Sequence, residues 1–201
     1  HTTPHKTPHP VRAYINQDGV FIEIPGRYLY EKDDKNSAFS SFLSLVKKYK
    51  IHRLIQGIIL VLNFEDLTKF SIQKNQEQIY VIKHRLQELS LIIKNPINLQ
   101  ILFSKIDTLI GFNAFFAESI KEELVDIFGI EFSALTSLTP RPISHLFREQ
   151  FDILLKKLNE RVIWLLHRER FIKNKALIAD FPQQFSAFKE TLSQYIYDLI
   201  D

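Results

Sequence analysis

The stretch Ser104-Lys105-Ile106-Asp107 is where residue types and spacing offer chemistry. The residues before it, Ile97 to Phe103, are mostly apolar and read as a short strand buried on both faces. The four therefore fall at a strand's carboxyl end, where ligands sit in an open parallel sheet. A carboxylate has acceptors only, so Asp107 suits the donor edge of a planar ring, and the methylenes of Lys105 can lie along its face. Lysine and aspartate after a strand also make an ordinary solvated turn, and four residues alone do not choose between these readings. A second group, Glu23-Ile24-Pro25-Gly26, closes another extended segment. Read by itself, its Pro-Gly pair makes an ordinary turn.

Other polar groups offer less. Glu122 and Glu123 are adjacent on a helix and face different directions. His52, His84, His145 and His167 share no metal-ligand spacing. Trp164 is more pointed: at 100° per residue it lies well off the apolar stripe Phe147, Phe151, Leu154, Leu158, Val162 and Leu165. It either packs under the final helix or marks an interface, with Arg161 and Arg168 beside it. From 141 to 175 nine basic residues oppose four acidic ones, whereas from 113 to 131 five acidic residues oppose Lys121 alone. The basic stretch reads as solvated helix surface, or as a face for anionic lipid or an acidic partner.

The elements that must position these residues follow from periodicity. His1 to Pro10 carries three histidines among three prolines and reads as a flexible leader. Val11 to Ile15 and Gly19 to Ile24 form an expected hairpin turned by Asp18-Gly19. A helix begins at Ser37 with Phe39, Phe42, Leu43 and Val46 on one face. Gly57 to Asn63, GIILVLN, is a continuously apolar strand needing cover on both faces. A long helix from about Gln73 to Lys94, striped by Ile79, Ile82, Leu86, Leu89 and Ile93, returns the chain to the strand at 97. Strand, helix, strand implies a parallel sheet with a right-handed crossover. A further helix ends at Gly129, Ile130 to Phe132 is an expected edge strand, and helices over about Ser144–Lys173 and Pro182–Ile200 complete the chain.

The 201 residues suffice for one domain with a helical appendage, and 45% apolar content excludes a disordered chain. With no cysteine, thiolate metal sites and cysteine nucleophiles are excluded. A net charge of +3 and no aromatic-basic signature argue against nucleic-acid binding. No apolar run reaches membrane-spanning length. The chain opens on His1 and contains no methionine, so it reads as a piece of a longer protein.

The Ser-Lys-x-Asp spacing resembles the base-recognition element of P-loop GTPases, and Glu23 to Gly26 resembles their Asp-x-x-Gly element. Taken in order, GRY at 26–28, the helix ending in KKYK, QGIILVLNFEDL, RLQEL at 85–89, SKID, FFAE and FPQQF at 181–185 resemble the cytoplasmic domain of IcmF/TssM proteins, inner-membrane components of type IVB (Dot/Icm) and type VI secretion systems. The resemblance covers about residues 11 to 190. It implies an α/β fold, a P-loop GTPase-like parallel sheet flanked by helices over 11–135, lacking its N-terminal phosphate-loop part, with a helical extension over 136–201. It places Ser104, Lys105, Asp107, Gly26 and Glu23 at nucleotide-motif positions, and Ser133-Ala134-Leu135 resembles the loop that touches the base. It implies a location on the cytoplasmic side of the bacterial inner membrane, with membrane contact only through segments outside these residues. The partners implied are a small inner-membrane protein related to DotU/TssL and other secretion-complex subunits, and GTP with Mg²⁺ for the intact protein.

Two departures lead to an expectation that nucleotide binding by these 201 residues is weak or absent, with no cofactor bound. None of the glycines, at 19, 26, 57, 111 and 129, belongs to a G-x-x-x-x-G-K-[ST] cradle. Glu23 stands where the family has aspartate, and its extra methylene, about 1.5 Å, displaces a water-mediated metal contact. The expected function is a structural and regulatory module that docks to other membrane components, with the Gly26–Lys35 loop as its switch. The rival is part of an active GTP- or ATP-hydrolysing switch. The Ile-, Lys- and Phe-rich composition leans toward the type IVB branch.

Overall fold

The computed structural model describes residues 10–17, 19–31, 37–93, 96–117, 128–132 and 141–201. Its contacts gather into two compact units, His1–Ile58 with Val81–Asn98, and Ile59–Tyr80 with Leu99–Asp201. The boundary expected at 135–136 lies outside the described residues, as does the leader to residue 9.

In the first unit the expected hairpin is present. Strands β1 (Arg12–Ile15) and β2 (Val20–Glu23) pair antiparallel, with Arg12 opposite Glu23 and Ile15 opposite Val20. Asn16 ties the turn: its N–H donates to Gly19 O at 3.0 Å, and its Oδ1 accepts from the Gly19 N–H at 2.9 Å. Asp18, expected to share that turn, lies outside the described residues. Pro25 leads into a 3-10 turn, Gly26–Tyr28. Helix α1 (Ala38–Lys48) starts at Ser37, whose Oγ accepts from the Ser40 N–H at 3.1 Å, a cap that satisfies one orphan donor. It buries Phe39 and Val46 and ends on Lys47 and Lys48, where positive charge meets the negative end of the helix dipole.

Strand β3 (Gly57–Asn63), helices α2 (Phe64–Lys69) and α3 (Ile72–Ile93), and strand β4 (Asn98–Ser104) follow. β3 and β4 are hydrogen-bonded neighbours. Gly57 lies against Asn98 at their starts, and Ser104 Oγ donates to Leu62 O at 3.0 Å at their ends, so the two strands run parallel. The expectation that both faces are covered does not hold. β4, expected to be buried on both faces, leaves Leu99 and Leu102 exposed. In β3 Leu60 and Leu62 are buried, but Ile59 and Val61 are 49% and 58% exposed. The apolar run is continuous while its burial alternates, because successive side chains point to opposite faces and only one face is covered. On α3, Ile79, Ile82, Ile92 and Ile93 are buried together with Arg85, while Leu86 and Leu89 are only half-buried.

The second unit also holds helix α4 (Phe112–Phe116) and three further helices, α5 (Ile143–Arg168), α6 (Ile172–Ser186) and α7 (Lys189–Ile200), with α4 packed on α6 and α5 packed on α6 and α7. Their core is aromatic, with ring centroids 4.9 Å apart for Phe115 and Phe181, and 4.9 Å for Phe151 and Phe185. α7 runs antiparallel to α5. Lys189 Nζ bonds Asp152 at 2.7 Å, Arg148 bonds Glu190 at 2.7 Å, and the Asp201 carboxylate accepts the N–H groups of Ile143 and Ser144 at 3.0 and 3.1 Å. The two long helices expected here are three. The chain breaks at Glu169, and Pro182, expected to open a helix, lies inside α6. Ile130–Phe132, expected as an edge strand, has no strand structure, and the part of the preceding helix over 118–127 lies outside the described residues.

Candidate functional site

The turn after β4 is built by an unusual backbone. Lys105 has φ 60° and ψ 26°, in the left-handed region that a side chain disfavours. It leads into a 3-10 turn, Ile106–Thr108, locked by the Thr108 Oγ1 donating to Lys105 O at 2.7 Å and the Thr108 N–H donating to the same oxygen at 3.2 Å. The turn leaves the Lys105 and Asp107 side chains exposed, while Ser104 is half-buried and tied to β3. The Asp107 carboxylate keeps its acceptors open among the described residues; only its main-chain oxygen is used, by Asn113 Nδ2 at 3.5 Å. Replacing Lys105 with glycine is expected to raise stability by about 1 kcal/mol, read from the urea midpoint, because left-handed strain is relieved and the greater freedom of unfolded glycine takes part of it back. Lys105→Ala keeps the strain and is expected to shift the midpoint little.

Sequence reasoning missed Glu65. It sits in the first turn of α2, where β3 ends, and its N–H is capped by Asn63 Oδ1 at 3.1 Å. Lys69 Nζ lies 2.8 Å from its carboxylate. That hydrogen bond and the Lys69 charge hold Glu65 below the usual carboxylate range, and the Lys105 charge adds to the effect. The carboxyl ends of β3 and β4 thus gather Glu65, Lys105 and Asp107. The signal was available as Asn63 before Phe64 and the acidic pair Glu65-Asp66, an N-cap followed by acidic residues in a first turn.

Glu23 and Gly26 belong to the other compact unit. Glu23 Oε2 accepts from the Tyr14 hydroxyl at 2.8 Å across the hairpin, and Arg12 stands opposite it. Gly26 is not held in a left-handed conformation, and a Cβ there would meet nothing within 4 Å. The turn does not demand glycine at this position, and among the described residues the Gly26 N–H has no acceptor.

Arg85 carries the segment that follows. Its Nε donates to Leu29 O at 3.1 Å, Nη2 to Glu31 O at 3.0 Å and Nη1 to Glu88 Oε2 at 2.8 Å, with the guanidinium 4.9 Å from the Phe39 ring. The Glu31 carboxylate in turn accepts the Ala38 N–H at 2.6 Å at the start of α1. The rest of the expected switch loop, 32–35, and Ser133-Ala134-Leu135 lie outside the described residues. Among the described residues no cluster of three His, Asp or Glu side chains could hold a metal ion.

A family model described as the IcmF-related N-terminal domain matches residues 32–201. The chain belongs to the IcmF-related family. The type VI secretion system component TssM1 of Pseudomonas aeruginosa is 28% identical to this IcmF-related chain over 189 residues, a match covering 91% of the chain. The chain spans 17% of that protein's length. No solved structure matches. The IcmF/TssM resemblance is thereby shown, and the relative is a type VI component.

Two further features of this IcmF-related domain lie on its C-terminal helices. Trp164 is 46% exposed, with the Arg168 guanidinium 4.4 Å from its ring centroid, so it is not packed under the final helix. Arg161 is half-buried, its guanidinium 6.0 Å from the Phe115 ring. A cleft of about 180 Å³ between α5 and α7 is lined by Ser144, His145, Arg148, Ser193, Gln194 and Tyr197. It belongs to the helices and includes none of Glu23, Gly26, Ser104, Lys105 and Asp107. Among the described residues no helix is long and apolar enough to cross a membrane.

Proposed function

We propose that this IcmF-related chain is a structural and regulatory docking module of a secretion-system membrane complex, held on the cytoplasmic side of the bacterial inner membrane. In this reading it is built on a P-loop GTPase-like fold whose phosphate loop is not among these residues. One observation carries it: a single family match runs without interruption from residue 32 to the last helix. The helices fall within that match together with β3, α3 and β4, and in this reading they offer the surface for docking. The partner is a small inner-membrane protein related to DotU/TssL, alongside other subunits of the complex.

The residues fit a nucleotide only in part. Lys105 and Asp107 are exposed at a strand end with acceptors open to a base edge. The phosphate cradle is not in the sequence, and Glu23 is engaged by Tyr14. The Mg²⁺ and phosphate side of the site does not fit, and no hydrolytic step follows from these residues. Docking is tested by sedimentation of the chain with the soluble domain of the DotU/TssL-like protein, alongside titration with a fluorescent GTP analogue and Mg²⁺. A complex with the partner and no saturable nucleotide binding is the expected result. Absence of a complex defeats the docking role. Saturable binding of GTP but not ATP, lost in Asp107→Ala, replaces it with the switch-enzyme reading.

A further inference from the structure

The corner between α5 and α6 is made to stand out from the helices that support it. α5 stops at Arg168, and Glu169 turns into extended backbone, φ −71° and ψ 133°. The Glu169 carboxylate folds back onto the corner, accepting the N–H groups of Arg170 and Phe171 at 2.7 and 2.8 Å and the Asn174 side-chain amide at 3.1 Å. Those bonds, led by the one from Phe171, hold it ionised below the usual carboxylate range. The result is a fixed bend whose apex carries Phe171 and Ile172, 72% and 82% exposed, with Ile163 and Trp164 exposed on the α5 arm.

The charge around these apolar tips is predominantly positive. Between 161 and 179 the chain has five basic residues, Arg161, Arg168, Arg170, Lys173 and Lys175, and one acidic residue, Glu169, already committed to backbone donors. Two large apolar side chains at the apex of a bend offer a small area compared with the roughly 800 Å² per partner of a stable protein interface. A bilayer surface makes no such demand. Apolar tips enter the headgroup boundary while flanking lysine and arginine meet anionic phosphates.

We propose that the α5–α6 corner is a peripheral binding site for an anionic lipid surface, with Phe171 and Ile172 inserted and Arg168, Arg170, Lys173 and Lys175 against the headgroups. This goes beyond docking to a protein partner and does not depend on it. Trp164 is the only tryptophan of the chain, so its fluorescence reports on the corner alone. The test is titration of the chain with vesicles of phosphatidylcholine alone and of phosphatidylcholine with phosphatidylglycerol, followed by sedimentation and Trp164 emission. The expected result is binding to the phosphatidylglycerol vesicles only, with a blue shift, quenching by brominated acyl chains, and weakening as salt rises. Arg170→Glu and Lys173→Glu should each weaken binding about fivefold or more, and the double variant Phe171→Asp, Ile172→Asp should remove the blue shift. These positions are exposed, and unchanged circular dichroism separates lost binding from lost fold. Equal binding to both vesicle types, no binding to either, or full binding by the Asp double variant overturns the proposal. So does a Trp164 shift produced only by an acidic secretion-complex subunit, which would make the corner a protein contact.

Discussion

Gly111→Ala is expected to destabilise the second compact unit by about 2–5 kcal/mol, from about 1–2 for a side chain in left-handed backbone and about 1–3 for forced displacement of packed neighbours. Gly111 has φ 86° and caps the start of α4. A Cβ there would stand 2.3 Å from Leu177 O, 3.2 Å from Leu177 C and 3.0 Å from Phe181 Cβ. The obstacle is mainly the backbone of α6, which cannot rotate away as a flexible side chain would. Moving α4 off α6 disturbs Phe181, whose ring lies 5.7, 4.9 and 5.6 Å from those of Phe112, Phe115 and Phe116. Against a typical domain stability of about 5–15 kcal/mol, the loss is large enough to read as a shift of the urea midpoint. Gly111→Asn separates the two costs, since asparagine tolerates left-handed backbone but still brings a Cβ; it should recover only the conformational part. A midpoint unchanged in Gly111→Ala would show that α4 does not approach α6 this closely. The consequence is structural: the segment four residues beyond Asp107 packs directly on α6, so a change at Gly111 should be felt on both sides of that contact.

Arg85→Met should cost about 3 kcal/mol and free the segment that follows Gly26. Arg85 is 4% exposed and gives its guanidinium donors to Leu29 O, Glu31 O and Glu88. Methionine fills much of the volume but leaves two carbonyls without their donor, each worth about 1–3 kcal/mol where water does not replace it. Arg85→Lys keeps the charge but not the planar fork that reaches two carbonyls and a carboxylate together, so it should recover less than half of the loss. Denaturation gives the energy, and hydrogen exchange at Leu29 to Glu31 should rise in both variants before global unfolding. Unchanged exchange would show that Arg85 does not hold this segment. In the proposed docking module, Arg85 is then the residue that ties the segment after Gly26 to α3, and its loss should alter partner binding without touching the partner.

The parts legible in the sequence were those set by local pattern. Turn residues between two apolar-rich runs specify the β1–β2 hairpin, because hairpin register follows from the turn. A β-branched run of strand length before a helix striped at 3, 7, 10 and 14 specifies β3, α3 and β4, and the order of short motifs specifies the family. The position of Ser104, Lys105 and Asp107 at a strand end followed from the same pattern. What tertiary structure alone decided involves groups brought together from far along the chain. Arginine on a helix reads as solvated until carbonyls 56 and 54 residues away arrive to accept from it. Pro182 reads as a helix start, since proline suits a first turn, but burial of Phe181 and Phe185 keeps α6 continuous through it at the loss of one backbone bond. No glycine or proline follows Leu165 before Lys173, so the sequence carries the helix on to Lys173; the break comes from a carboxylate that finds two backbone donors and turns the chain. Trp164 could be assigned off the apolar stripe from its angle alone, but whether a neighbouring helix covers it depends on packing, and packing leaves it at the surface.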